Sequence, residues 1–269
     1  MKKLLFAQYI DYANEKNRTT LIILNLLHEL RVMTLSQMTE MINLEFKMDK
    51  TAVAHQLSNL AKAGFVEKIR FGKEMCYYLT KLGHQSIGGI YSLPKMPEYN
   101  LNHYLQINNY LIKTLRILGQ HRHLKKVVSE RRQVFETKDF TANSKGRKYF
   151  VADYQVVFNT ERVAREIVWN FEIELTMKTK RRYINGVFPK YIKELKSKRD
   201  NRLIYVTPSE SIKEELELIK KYMISQEKET VDWPSRLHLL SAEEFEKTLE
   251  SLVKNDEGIN WPDEIELFK

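Results

Sequence analysis

The chain has almost no cysteine, little glycine and no long apolar run, and each scarcity excludes a class of protein. One cysteine in 269 residues, Cys76, excludes an intrachain disulfide and a zinc site built from several thiolates. We expect it to be a small buried hydrophobe. The nine glycines nowhere adopt the spacing of a Walker A loop, so an NTP-driven function is not expected.

Long apolar segments are also missing. The longest, residues 21–30, is interrupted by Asn25, His28 and Glu29 and is far shorter than the ~20 residues that span a membrane. The first residues, MKKLLFAQYIDYA, hold too short an apolar run for a signal peptide. These features predict an intracellular, cytoplasmic protein with no membrane partner.

Positive charge, in contrast, is abundant and unevenly distributed. The formal net charge is +9. Residues 208–269 hold 16 acidic and 8 basic side chains, so the preceding residues hold 36 basic and 19 acidic ones. The basic excess is compatible with a polyanionic partner, although many basic proteins bind no nucleic acid. The acidic carboxyl-terminal part is typical of a solvated face.

Three helix patterns occupy the first part of the chain. Residues 19–30 are strongly apolar, and residues 35–42 follow the helix-capping residue Thr34. Asp49 can cap a third helix, and Gly64 can end it. The apolar positions of this third helix fall on one face, and they are Val53, Leu57 and Leu60.

A basic β-hairpin pattern follows the third helix. The runs 66–71 and 75–79 flank a turn at Gly72, Lys73 and Glu74. Three helices followed by a basic hairpin predict a winged helix-turn-helix over residues 1–90. Modules of this kind bind double-stranded DNA.

Candidate DNA contacts lie on two elements of this predicted module. A step of 100° per residue puts a polar set opposite Val53 on the third helix, where side chains can contact bases and phosphates. The alternative is that any surface helix has a polar outer face. Basic side chains of the hairpin are candidates for backbone or minor-groove contact. The helix candidates are Thr51, His55, Ser58, Asn59 and Lys62, and the hairpin candidates are Lys68, Arg70 and Lys73.

Beyond a linker at residues 88–98, the pattern predicts a mixed α/β domain over residues 101–269. The first three strands are expected to form a meander, because their connections are too short for helical crossovers. The predicted helices are 102–118, 176–198, 209–225 and 242–254, and the predicted strands are 126–136, 148–158, 163–175, 202–207 and 237–240. A basic turn is expected at 143–148.

Four carboxylates are expected to converge on this second domain. Glu172 and Glu174 share one face of the third predicted strand, Asp153 lies on the second, and Glu130 on the first. Such a cluster, with Asp153 and Glu172 as ligands, could hold Mg²⁺ and position a water for phosphodiester attack. The alternative is an exposed strand face whose carboxylates pair with basic residues of the next helix.

Four short segments of the second half stand out together: 102–109 (NHYLQINN), 129–131 (SER), 151–153 (VAD) and 171–175 (FEIEL), the last followed by a basic helix. Through them the second half resembles the PD-(D/E)xK nuclease core, and the whole chain resembles the replication-relaxation proteins of plasmids and other bacterial mobile elements. The resemblance implies a winged helix-turn-helix joined to a restriction-endonuclease-like α/β domain. It covers nearly the whole chain through short motifs.

Two positions depart from the nuclease pattern. Glu174 stands where the pattern has a lysine that orients the attacking water, and Ala152 replaces a proline. Lys178 or Lys180 could take the lysine's role from the following helix. The implied catalytic set is therefore Glu130, Asp153, Glu172, Glu174 and Lys178, in a domain expected to be inactive.

Three functions follow, in order of preference. The first is sequence-specific binding of double-stranded DNA in the replication, mobilisation or regulation of a plasmid or mobile element. The second is a Mg²⁺-dependent endonuclease that the winged helix directs to its site. The third is an adaptor that binds a replication or transfer protein. A homodimer is compatible with all three functions.

The predicted basic helix is either a second nucleic-acid surface or a solvated face. Its basic residues are Lys178, Lys180, Arg181, Arg182, Lys190, Lys193, Lys196, Lys198 and Arg199.

Overall fold

The chain forms two compact units. The computed structural model describes residues 5–6, 18–93, 100–121, 123–137, 150–159, 166–227 and 231–255. The first unit comprises residues 1–119 and 127–141, and the second comprises residues 120–126 and 142–269. The class is mixed α/β, as the sequence predicts.

The first unit combines helices with a small sheet. Its elements are α1 (Arg18–Leu30), β1 (Val32–Thr34), α2 (Leu35–Asn43), α3 (Lys50–Lys62), β2 (Val66–Phe71), β3 (Glu74–Leu79), α4 (Lys81–Ser86), α5 (Leu101–Leu118) and α6 (Glu130–Glu136). The strand β4 (Leu124–Ser129) starts in the second unit and leads directly into α6.

Local signals set the ends of α2 and α3. The Thr34 hydroxyl and the Gln37 side chain form a reciprocal capping box at the start of α2. Asp49 caps α3 by accepting a hydrogen bond from the Ala52 amide at 2.8 Å. Gly64 follows α3 with φ of +75°, a left-handed conformation that glycine adopts without strain. The predicted capping residue and stop of α3 are confirmed.

The predicted hairpin is also confirmed. β2 and β3 pair antiparallel with Phe71 opposite Glu74, and β1 adds to β3 to give the order β1-β3-β2. Cys76 is buried in β3, as expected. After β3, the backbone at Gly83 packs closely against the backbone at Phe65. A Cβ at position 83 would lie only 2.0 Å from the Phe65 carbonyl oxygen, so glycine is needed there.

Helix α5 packs within the first unit. Gln37 donates to the Leu105 carbonyl at 2.7 Å, and the Asn108 side chain donates to the Val32 carbonyl at 2.7 Å. Leu101 and Leu105 join a buried cluster with residues of β1 and β3. The compact units therefore divide at a different place from the predicted domains 1–90 and 101–269, which put α5 with the second domain.

The predicted strand at 126–136 is wrong in its second half. β4 ends at Ser129, whose hydroxyl caps α6 by accepting from the Arg132 amide at 3.2 Å. The apolar residues of the run suggested a strand, but the serine offers a helix start that satisfies a free backbone donor. Glu130 thus lies in the first turn of a helix.

The second unit is built on a five-stranded sheet of order β4-β5-β6-β7-β8. β5 and β6 pair antiparallel, whereas β6, β7 and β8 run parallel. The order β4-β5-β6 agrees with the predicted succession of strands. The elements are β5 (Tyr154–Asn159), β6 (Glu166–Ile173), α7 (Lys180–Arg182), a π-helical turn (Tyr183–Val187), α8 (Phe188–Ser197), β7 (Arg202–Thr207), α9 (Glu210–Ser225), a 3₁₀ turn (Trp233–Arg236), β8 (Leu237–Ser241) and α10 (Phe245–Asn255).

The predicted basic helix 176–198 begins later than expected. Thr179 caps it, so residues 176–179 precede the helix, and the π-helical turn interrupts it. The predicted basic turn at 143–148 and the starts of the second and third predicted strands lie outside the described residues.

Alternation along β6 separates two faces of the sheet. Phe171 stacks on Tyr154, with ring centroids 4.5 Å apart, and its edge meets Phe245. Glu172 points to the opposite face, as the period of two predicts. A core of aromatic and aliphatic side chains covers that face, including Tyr183, Phe188, Tyr191, Leu195, Tyr205 and Trp233. Within the described residues, no helix has the length and apolarity needed to cross a membrane.

Candidate nucleic-acid interface and carboxylate cluster

One face of α3 presents only polar side chains to solvent. The apolar positions Val53, Leu57 and Leu60 are buried against the rest of the unit. The opposite positions are all exposed, and we call them the outer face of α3: Thr51, His55, Ser58, Asn59 and Lys62. The Asn59 amide nitrogen lies 3.4 Å from the His55 ring nitrogen Nδ1. This face offers hydrogen-bond donors and acceptors together with one cation.

The β2–β3 hairpin presents its cations to solvent. Lys68, Arg70 and Lys73 are all exposed. Lys68 lies opposite Tyr77 and Arg70 opposite Met75, so both basic side chains project from the same face of the hairpin. Arg70 Nε donates to the Gly72 carbonyl at 3.3 Å, which holds its guanidinium near the turn.

A polar chain connects the hairpin to α2 and α3. Ser36 donates its hydroxyl to Glu74 at 2.6 Å. Lys50, the first residue of α3, donates to the Ser36 oxygen at 3.0 Å. The contacts join the turn end of the hairpin to the start of α3 through one serine. They therefore restrict the position of the hairpin cations relative to the outer face of α3.

The Ser129–Arg131 segment contacts the end of α1 through all three of its side chains. Ser129 donates to the Glu29 carboxylate at 2.6 Å, and Glu130 forms an ion pair with Arg31 at 3.0 Å. Arg131 donates to the carbonyl oxygens of His28 and Ser92. These partners are all in the first unit. Glu130 therefore lies in the first turn of α6 and not on a strand as predicted, and its carboxylate is engaged by Arg31.

Burial shifts the pKa values of this network. His28 stacks on Tyr91, with centroids 4.3 Å apart, and its Nε2 accepts from the Tyr91 amide. Burial, assisted by the nearby Arg131 charge, lowers the pKa of His28 to about 3. Burial also lowers the pKa of Arg131 to about 10. The histidine is therefore neutral at physiological pH, and the network joins parts of the first unit to one another.

Asp153, Glu172, Glu174 and Lys178 lie near one another in the second unit, and we call them the carboxylate cluster. Asp153 accepts a hydrogen bond from the Ile173 amide at 2.7 Å. Glu174 accepts one from the Tyr205 hydroxyl at 2.7 Å and another from the Lys178 ammonium. Lys178 therefore lies beside the carboxylates, from the segment before α7, and its ammonium is held by Glu174.

Glu172 has the most perturbed carboxyl group of the cluster. Burial raises its pKa well above the ordinary value, and the Asp153 charge raises it further. The Lys178 charge and a hydrogen bond with Tyr191 offset part of this effect. Burial together with the Glu172 charge also raises the pKa of Tyr191. The cluster therefore favours retention of a proton on Glu172.

A pocket of about 320 Å³ opens beside Glu172, which keeps its side chain partly exposed. We call it the Glu172 pocket. Apolar or aromatic residues and two basic side chains surround it. Its lining comprises Phe150, Val151, Glu172, Arg182, Gly186, Val187, Lys190 and Tyr191.

The structure brings together most of the predicted catalytic set without forming a metal cage. Asp153, Glu172, Glu174 and Lys178 are neighbours, and Glu130 forms an ion pair with Arg31. Across the described ranges, no group of three or more His, Cys, Asp or Glu side chains is arranged to hold a metal ion. The predicted Mg²⁺ ligands Asp153 and Glu172 therefore lack a third protein ligand there.

Sequence reasoning missed the tyrosines of the cluster. Tyr191 bonds Glu172 and Tyr205 bonds Glu174, although each tyrosine comes from an element remote in sequence from its partner. The available signal was Tyr205, a side chain with a polar end among the aliphatic residues of β7.

Neither a protein-family model, nor a curated protein, nor a solved structure matches this chain.

Proposed function

We propose that the first unit is a winged helix-turn-helix that binds double-stranded DNA, with α3 as the recognition helix. The observation that carries the proposal is the joint exposure of the outer face of α3 and the three hairpin cations. In such modules a helix enters the major groove, where Asn, Ser and Thr can bond base edges and Lys can bond phosphate or guanine. The hairpin then contacts the backbone or the minor groove.

The polar chain Glu74–Ser36–Lys50 supports this arrangement. It joins the hairpin turn to the start of α3, so the two candidate contact surfaces are adjacent within the first unit. Adjacent surfaces of this kind can contact one duplex together. Phe71, at 40% exposure beside the turn, adds an apolar side chain that suits sugar or groove contact.

The biological setting of the proposal is the replication, mobilisation or regulation of a plasmid or mobile element. It rests on the resemblance to the replication-relaxation proteins. In this proposal the second unit is a nuclease-like domain without catalytic activity, and it serves as a platform for DNA or for a replication or transfer protein. The Glu174–Lys178 contact supports inactivity, because it engages the lysine that the sequence offered for the catalytic role.

A Mg²⁺-dependent endonuclease is the second candidate. One observation favours it: Asp153, Glu172 and Lys178 interact electrostatically beside an open pocket. A metal would supply Lewis-acid stabilisation and an activated water there. This function requires further ligands from substrate or solvent, because the cluster supplies only two well-placed carboxylates besides the lysine-bound Glu174.

The DNA-binding proposal is tested with the full chain. A duplex site is selected from a random library, and affinity is measured by fluorescence anisotropy between about 50 and 200 mM salt. Several phosphate contacts predict an affinity loss of orders of magnitude over this range. Lys62→Ala and Arg70→Ala should each weaken binding, whereas Lys247→Ala, an exposed lysine on α10, should not.

Two results would contradict the proposal. One is the absence of any enriched duplex after repeated selection with folded protein. The other is equal loss of affinity in the Lys247→Ala control, which would mean that charge anywhere on the chain accounts for binding.

A further inference from the structure

The Glu172 pocket has the size of a small-molecule site, and all of its lining residues belong to the second unit. Its volume of about 320 Å³ is at the lower end of the range of ligand pockets, about 300–1,000 Å³. Three of its lining residues, Arg182, Gly186 and Lys190, follow one another at intervals of four along the helical segment. This spacing puts them on one side, across the π-helical turn.

The two cations of the pocket have no ion-pair partner among the described residues. Several other lysines of the segment are paired: Lys178 with Glu174, Lys180 with Glu215, Lys196 with Glu227 and Lys198 with Glu194. Arg182 and Lys190 form no ion pair with any carboxylate in the described part of the chain. Two unpaired cations facing one pocket create a local attraction for an anion.

The remaining lining has a different chemistry. Phe150 meets the Tyr191 ring edge to face, with centroids 5.1 Å apart, and two valines extend this apolar wall. Aromatic side chains offer stacking surfaces to nucleobases. The carboxyl group of Glu172 is the one acidic group among the lining residues. Even when it keeps its proton, its carbonyl oxygen can accept a hydrogen bond from the exocyclic amino group of a base.

We propose that the Glu172 pocket binds a nucleoside monophosphate whose base carries an amino group. Arg182 and Lys190 bind the phosphate, since a guanidinium fork and an ammonium both suit its oxygens. The aromatic wall of Phe150 and Tyr191 receives the base, and Glu172 accepts a hydrogen bond from its amino group. The second unit thereby gains a site for a small effector, built from its own residues.

The test measures binding of AMP, CMP and UMP to the full-length protein by isothermal titration calorimetry, with inorganic phosphate as a further probe. AMP or CMP should bind saturably, and UMP should bind at least about tenfold more weakly, because it lacks the amino group that Glu172 accepts. Inorganic phosphate should bind more weakly than AMP, because it makes no contact with the aromatic wall.

Three variants locate the site. Arg182→Gln with Lys190→Gln removes both cations, and Gly186→Leu fills the pocket from a position where an added Cβ meets nothing within 4 Å. Both changes should reduce AMP affinity by at least about tenfold. Lys193→Gln removes an exposed cation of α8 outside the lining and should leave it unchanged. Circular dichroism confirms that each variant is folded.

Four outcomes would overturn the proposal: no saturable binding of AMP or CMP, equal binding of phosphate and AMP, equal binding of UMP, or equal loss in Lys193→Gln. Binding of the selected duplex is measured on the same samples. Failure of nucleotide binding with intact duplex binding refutes this inference alone, and the reverse result refutes only the DNA-binding proposal.

Discussion

Ser129 donates its hydroxyl to the Glu29 carboxylate at 2.6 Å, a contact between residues one hundred positions apart within the first unit. Both residues are buried, and Tyr91 adds a second hydrogen bond to Glu29 at 3.0 Å. A buried carboxylate needs such donors, because an unsatisfied charge loses its hydration without compensation. The contact makes residues 127–137 an integral part of the unit that carries the proposed DNA-binding surface.

Replacing Ser129 with alanine is therefore expected to destabilise the protein. The change removes one donor from buried Glu29 and also the cap of α6, so a loss of about 1–3 kcal/mol in the free energy of unfolding is expected. Urea denaturation followed by circular dichroism measures it. Ser225→Ala, at an exposed serine that ends α9, is the matched control. Equal stability of the Ser129→Ala variant and the parent chain would show that the contact contributes nothing.

His28 is expected to make the protein less stable in acid. Its pKa in the folded chain is about 3, below the ordinary value of 6.5, so the folded state binds fewer protons than the unfolded state. The stability that neutral His28 contributes is fully present above pH 6.5. It is lost as the pH falls toward 3, by up to about 1.4 kcal/mol in the free energy of unfolding per pH unit. His28→Gln should flatten this loss between pH 6.5 and 4 in urea titrations.

His55→Gln provides the control for that experiment, because His55 is exposed on α3. The control should keep the pH dependence of the parent chain. An unchanged slope in His28→Gln would instead assign the acid sensitivity to other groups.

Asn59 and Lys73 are expected to affect DNA binding in different ways. Asn59→Ala should relax one position of the selected site at a cost of about 1–3 kcal/mol, because the side chain lies on the outer face of α3. Lys73→Ala should weaken all sequences alike and reduce the salt slope by about 1. Repeating the library selection with each variant measures both effects. An identical selected site for Asn59→Ala would remove that residue from base contact.

Local chemistry decided which parts of the structure were predictable. The Asp49 cap, the Gly64 stop and the Gly72 turn depend on residues adjacent in sequence, and all three follow from their side-chain properties. The end of β4 was missed because apolar periodicity outweighed one capping serine, Ser129. The signal existed in the sequence, since a serine that precedes charged residues favours a helix start.

The carboxylate cluster was only partly predictable, for a different reason. Alternation along β6 correctly puts Glu172 on the face opposite Phe171. The Tyr191 and Lys178 contacts depend on how the segment after β6 turns and packs, which includes a π-helical turn. No short-range pattern encodes that turn. Glu130 was assigned to a strand, whereas it begins helix α6.

We expect no Mg²⁺-dependent nicking of supercoiled plasmid by the unaltered protein. Glu174 adds a negative charge where catalysis would need a cation, and it holds the Lys178 ammonium. A single Glu174→Lys change would put two ammonium groups together, so Glu174→Lys with Lys178→Glu is the better design for restoring a lysine while keeping an ion pair. Nicking is followed on agarose gels with Mg²⁺ or Mn²⁺. Robust nicking by the unaltered protein that Asp153→Ala abolishes would establish the endonuclease instead.

Glu172 is expected to lower the stability of the fold as the pH rises. Its pKa in the folded chain is raised well above the ordinary value, so the folded state binds more protons than the unfolded state. The stability that its protonated form contributes is complete below about pH 4.5 and is lost as the pH rises through the folded pKa.

Glu172→Gln keeps a neutral polar side chain at every pH. Its advantage over the parent chain in the free energy of unfolding should therefore grow between pH 5 and 8, by at most about 1.4 kcal/mol per unit. Glu250→Gln, at an exposed glutamate of α10, reports the general effect of removing one negative charge. If the two variants respond to pH in the same way, the surroundings of Glu172 do not disfavour its charge.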